Sequence, residues 1–128
     1  MPWVHLVIGL ALLEFLLFGA AVGRARVRYG VRAPATTGHE IFERYFRVQM
    51  NTLEQLVIFV PSILLFARYG NAAVAAGLGA VFLLGRALYF VRYVADPRKR
   101  EIGFVLSILP TAILLAGGIL GAARALIA

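Results

Sequence analysis

Arg44, Arg47, Asn51 and Glu54 follow one another at steps of three, four and three residues, which puts all four on one stripe of a helix. Arg86, Tyr89 and Tyr93 repeat the arrangement at steps of three and four. A guanidinium grips carboxylates through paired donors, a carboxylate takes up an ammonium, and a phenol donates a hydrogen bond. Several arginines against Glu54 as the one obvious carboxylate leave positive charge over. Two such stripes predict one polar cleft for an anionic ligand, its mouth bordered by Arg26 on one loop and by Arg98, Lys99 and Arg100 on another. The competing reading is structural: Arg47 or Arg86 pairs with Glu54 to hold helices together, and the tyrosines form an interfacial belt. Charge balance favours that reading for any one residue and opposes it for the set.

The elements that position these residues follow from composition. The chain has 128 residues, 62% hydrophobic and 15% charged, without cysteine and with a mean hydropathy of +0.87. Soluble domains are nearer ~45–50% apolar and ~25% charged, and a short chain has no large core in which to hide the excess. A water-soluble globule, a disulfide scaffold, a thiolate metal site and a disordered chain are all excluded. Four apolar stretches, 3–23, 41–69, 72–94 and 102–123, each approach the ~20 residues that cross the hydrocarbon as a helix. The expectation is an all-α, integral membrane four-helix bundle in a single domain, 1–128. The first stretch has no Lys or Arg before it, so it reads as a retained span rather than a cleaved leader. Pro61 should bend the second.

Basic residues give the orientation. Arg24, Arg26, Arg28, Arg32, Arg44 and Arg47 lie between or beside spans one and two, and Arg92, Arg98, Lys99 and Arg100 between spans three and four. The other side has Arg68 and Arg124, and Arg86 lies within span three. Ten against two places both termini outside and the cleft toward the cytoplasm. The net charge of +7 therefore reflects membrane topology, and nucleic acid is not expected as a partner. No metal site is expected either: His39 has no partner at ligand spacing and His5 sits near the outer end of span one. Gly117 and Gly121 suggest close helix packing. Glu14, in the middle of span one, raises an alternative, a small proton-coupled multidrug transporter with this residue as carrier carboxylate. A cation pathway lined by surplus arginine and so strong a loop-charge bias both oppose it.

At the chemical residues the sequence also resembles a known family. Thr36-Thr37-Gly38 followed by Glu43-Arg44-x-x-Arg47-x-Gln49-x-Asn51-x-x-Glu54 is similar to the signature of the MAPEG family, membrane-associated proteins in eicosanoid and glutathione metabolism. Arg86 to Tyr93, then Asp96-Pro97 and Arg100, resembles that family's third-helix segment. The resemblance implies a homotrimer with glutathione as co-substrate, held between neighbouring subunits, and a lipophilic substrate entering from the membrane lipid. It implies glutathione contacts at Arg26, Arg47, Gln49, Asn51, Glu54, Arg86, Tyr89 and Tyr93, with Arg100 and Tyr93 as catalytic candidates. The chemistry of the tripeptide is consistent: two carboxylates, one ammonium and one thiol call for arginine forks, a carboxylate and a donor to the thiolate. A thiol of pKa near ~8.5 is mostly protonated at neutral pH, and an arginine beside it favours the nucleophilic thiolate. Two departures stand out. Val27 occupies a position that is arginine in the family's leukotriene and prostaglandin synthases, and Gln55 one that is aromatic in leukotriene C4 synthase. The expectation is therefore glutathione transferase or peroxidase chemistry on lipophilic electrophiles or lipid hydroperoxides, or a weakly active glutathione- or lipid-binding member.

Overall fold

A computed structural model describes residues 1–128, and all four expected spans are helices: α1 (Pro2–Tyr29), α2 (Glu40–Tyr69), α3 (Ala72–Ala95) and α4 (Glu101–Ile127), with a 3-10 turn over Pro97–Lys99. The helix ends follow local chemistry. Pro2 opens α1 where no N–H is needed, and Gly30, in the left-handed region at φ 69°, closes it by donating to the Arg26 carbonyl. His39 caps α2 by accepting from the Ile41 N–H at 3.1 Å, with Glu40 and Glu43 in the first turn where the helix dipole favours anions. The Asn71 side chain accepts from the Ala73 and Val74 N–H groups at 2.8 and 3.1 Å and starts α3.

One expectation is corrected here. The arginines after span one are not loop residues: α1 continues to Tyr29, so Arg24, Arg26 and Arg28 are helical and the connector shortens to residues 30–39. A helix of 28 residues is about 42 Å long against ~30 Å of hydrocarbon, so the basic turns stand beyond the apolar layer. Pro61 lies inside an uninterrupted α2, and α4 carries a buried proline of its own, Pro110.

The outward surface is apolar. Leu6, Leu16, Leu17, Val57, Leu84, Val91, Leu109 and Leu120 are all exposed, as expected where lipid rather than water is the solvent. The interior is built by antiparallel neighbours. Phe59 of α2 stacks on Phe82 of α3 with ring centroids 3.8 Å apart, inside a cluster with Val4, Val7, Ile63 and Leu114. α4 is held by glycines. A Cβ at Gly85 would fall 2.7 Å from the Leu106 carbonyl carbon, and one at Gly117 2.5 Å from the Phe66 ring. The expected close packing at Gly117 and Gly121 is thus found, against Phe66 and Tyr69 of α2, while Gly77 faces open space.

Candidate active site

The α2 stripe forms as its spacing requires. The Arg47 Nη2 lies 3.9 Å from Glu54 Oε1, two helical turns along, with both side chains more than half exposed, and Asn51 sits between them. Arg44 leaves the stripe. Its Nη1 donates to the Val94 and Ala95 carbonyls at 3.0 and 3.2 Å, and its Nη2 pairs with Glu40 at 3.1 Å. It closes the C-terminal end of α3, whose last carbonyls have no helical partner. Arg47 and Tyr93 line one cleft of about 370 Å3 together with Arg44, Phe46, Pro97 and the carboxylates Glu40 and Glu43, while Asn51, Glu54 and Arg100 lie beside it. Arg100 follows as the residue before α4, exposed and without an acidic partner.

Arg86 departs from its expected place. It is 0% exposed, the largest fully buried side chain, and does not line the cleft. Its Nε donates to Ser107 Oγ at 2.8 Å and its Nη1 to Asn51 Oδ1 at 2.8 Å and Thr52 Oγ1 at 3.2 Å. The guanidinium also lies over the Tyr89 ring at 4.5 Å, and Tyr89 stacks on Tyr93 with centroids 5.3 Å apart. The physical reason is that a charge at bilayer depth must be surrounded by polar partners, and α2 and α4 supply them here. Arg86 therefore reaches the cleft through Asn51 and the tyrosines.

Arg26 and Gln49 are not brought to the stripe within one chain. Arg26 donates to the Ala35 carbonyl at 2.7 Å and lies 4.9 Å over the Phe42 ring, bracing the connector. Gln49 faces α1, where a Cβ at Gly19 would come within 3.0 Å of its Nε2, and it lines a second cleft with Leu12, Phe15 and Leu16. Two contributors had escaped sequence reasoning, Ser107 and Thr52. Both hydroxyls bond back to their own helix, to the Gly103 and Val48 carbonyls at 2.7 and 2.8 Å, as well as receiving Arg86. The signal available was the isolation of Ser107 in an otherwise apolar stretch of α4.

Comparison with known proteins decides what this arrangement belongs to, because the MAPEG family model matches residues 4–120. The chain belongs to the MAPEG family. A Synechocystis protein of uncharacterized function is 51% identical over 118 residues, covering 92% of this chain and 86% of its own length. Microsomal glutathione S-transferase 2 from Homo sapiens is 42% identical over 107 residues, covering 84% of this chain and 73% of its own. Leukotriene C4 synthase from Cavia porcellus is 35% identical over 83 residues, covering 65% and 55%. This MAPEG chain is thus an integral multi-pass membrane protein with four helices that are long and apolar enough to cross the bilayer. Of its two departures, Val27 is 87% exposed beside Arg24 and Arg28, whereas Gln55 is buried with its Oε1 unpartnered, away from the Arg47–Glu54 face. MAPEG membership leaves the transporter alternative without support, and Glu14 stands in the α1–α3 interface, where it lines a cleft with Leu83.

Proposed function

We propose that this protein is a membrane glutathione transferase whose thiolate attacks lipophilic electrophiles or lipid hydroperoxides. The observation that carries the reading is the unspent positive charge of Arg47 and Arg100 beside a cleft whose own carboxylates are engaged, Glu40 by Arg44 and Glu43 by the Gly38 N–H. Arg47 has only the exposed, 3.9 Å contact with Glu54, and Arg100 has no acidic partner at all. Arg47 supplies a fork for one glutathione carboxylate, Glu54 receives the ammonium, and the Asn51 amide offers a donor between them. Arg100 stabilises the charge on sulfur, and the Tyr93 hydroxyl, on the same cleft, is the neighbouring donor. The thiolate then forms a bond to the electrophilic carbon while the leaving group departs with the electron pair; with a hydroperoxide it takes the outer oxygen, the O–O bond breaks to release the alcohol, and a second glutathione converts the sulfenic acid to the disulfide and water.

Arg26 and Gln49 complete the tripeptide's contacts from a neighbouring copy, and the homotrimer is the assembly proposed. The outward position of Gln49 on the α1 side supports this, since that residue cannot serve the cleft of its own chain. The apolar wall around Gln49, a cleft of about 700 Å3, suits a lipid-borne co-substrate. The excess of Lys and Arg at the connector end supports a cleft that faces the cytoplasm.

The test is ultraviolet absorbance of the purified protein on adding glutathione at neutral pH, alongside native mass spectrometry in mild detergent. A thiolate band and a three-chain mass are expected. No band and no turnover with a model aryl halide or lipid hydroperoxide would overturn the function, and a fully active monomer would overturn the shared site.

A further inference from the structure

Glu14 is used by none of the chemistry above, yet it is an ionisable residue in the middle of a membrane helix. Its surroundings are defined by the register of α1 on α3. Seven residues before Glu14, Val7 packs on Gly79, where a Cβ would fall 2.5 Å from the valine Cγ1. Four residues after it, Phe18 stacks on Phe90 with centroids 4.8 Å apart and planes 8° from parallel. Gly79 and Phe90 stand seven before and four after Arg86. The two helices run in the same direction, so the same steps on both bring Glu14 and Arg86 to one level on facing stripes. Leu83, one turn from Arg86, indeed lines a cleft with Glu14.

The chemistry at that level is incomplete on both sides. Every acceptor around Arg86 is neutral: Ser107 from α4, and Asn51 and Thr52 from α2. The Arg86 Nη2 and the Glu14 Oε1 are both buried without a hydrogen-bond partner. The two side chains stop short of a direct ion pair, but opposite charges facing one another in an interior with little screening attract. On the far side of Arg86, an arginine can only donate, so the Asn51 oxygen is held toward it and the Asn51 amide nitrogen is left for the Arg47–Glu54 face.

We infer that Glu14 is the counter-charge of Arg86 across the α1–α3 interface and that, through Arg86, it positions the Asn51 amide at the cleft. The second half rests on the proposed glutathione function, and the first does not. Glu14 is a positioning residue that touches no substrate, and it links the lipid-facing side of α1 to the ligand-facing side of α2 through one guanidinium.

The experiment is a double-variant cycle on the full chain in detergent without glutathione, using E14Q, R86M and E14Q/R86M, followed by glutathione titration of E14Q and E14D. E14Q is expected to lower the unfolding midpoint in the wild-type background and to have little effect in the R86M background, because the charge it served is gone. In turnover, E14Q is expected to raise KM for glutathione about fivefold with kcat within about twofold, and E14D to lie nearer the wild type. Equal destabilisation of E14Q in both backgrounds overturns the pairing, and an unchanged KM in folded E14Q overturns the positioning role. If E14Q alone does not fold, an E14Q/R86M protein as stable as R86M supports the pairing, and one that is less stable overturns it. A wild-type protein that neither binds nor turns over glutathione refutes the function and the positioning role with it, while the cycle still decides the pairing.

Discussion

The mouth of the cleft and the layer beneath it contain the same residue types and treat them in opposite ways. At the mouth, Arg47 has a side chain 53% exposed and one weak acidic contact, and Arg100 has none. Beneath it, Arg86 is wholly buried and makes three hydrogen bonds to three different side chains. Exposed charges can wait in water for a ligand at little cost, whereas a buried charge must be satisfied by the protein itself. The arginines of this chain therefore divide by depth: those at the surface keep donors free for a ligand, and the buried one commits its Nε and Nη1 to the frame, with only its Nη2 left over.

The largest expected effect breaks the frame. Gly103 of α4 lies directly on the backbone of Tyr89, leaving no space for a Cβ. No flexible side-chain end can give way there, so Gly103→Val should push α4 from α3 and separate Ser107 from Arg86. A loss of about 2–3 kcal/mol is expected for overpacking of this kind. Gly77→Val is the control, because nothing lies within 4 Å of a Cβ at that position. Thermal unfolding of both variants in one detergent checks this, and equal midpoints would show that the close approach carries no stability.

That division by depth explains what the sequence made legible. Helices α1 to α4 were readable because twenty-odd consecutive apolar residues have few alternatives in lipid. Arg47, Asn51 and Glu54 were readable because helical spacing alone puts them on one face. The burial of Arg86 was not legible, because the same spacing rule says which stripe a residue occupies, never whether another helix covers that stripe. Its burial depends on Ser107, a residue 21 positions away. Arg44 fits the α2 stripe by spacing as well, yet the unpaired carbonyls at Val94 and Ala95 draw it off, a consequence of where α3 ends. Arg26 was assigned to a loop because basic residues mark the membrane boundary, and a helix can run past that boundary without any change in composition.

Smaller effects belong to the mouth, where two arginines should fail differently. Arg47→Ala removes a fork that grips a carboxylate in both ground and transition states, so glutathione affinity should fall by about 2–3 kcal/mol with kcat little changed. Arg100→Ala should leave affinity nearly intact and lower turnover about tenfold, as the bound thiol returns toward its ordinary pKa near 8.5. Glutathione titrations at fixed electrophile, with the thiolate band recorded in parallel, separate the two. An Arg100 variant with unchanged turnover and an intact band would transfer the sulfur-stabilising role to the Tyr93 hydroxyl.

The smallest effect concerns how Arg100 is presented. Asp96 accepts from the Arg98 backbone N–H at 3.0 Å and from the Arg98 Nε and Nη2, both at 3.2 Å, and so caps the 3-10 turn that leads into Arg100. The Arg98 guanidinium first, then its backbone N–H, holds the Asp96 carboxyl below the usual carboxylate range. A carboxyl whose folded pKa is depressed contributes stability above its unfolded pKa of about 3.9, and loses it as pH falls through the folded value. The pair is on the surface, where screening keeps such contributions small. Asp96→Asn should therefore lower the unfolding midpoint slightly at pH 7, and the difference from wild type should close on acidification below pH ~4. Its turnover should fall less than that of Arg100→Ala, since a looser turn still carries the same guanidinium. A midpoint difference between Asp96→Asn and wild type that persists undiminished at pH 3 would show that the aspartate acts through its shape in the turn, and that its charge contributes nothing to holding the turn before Arg100.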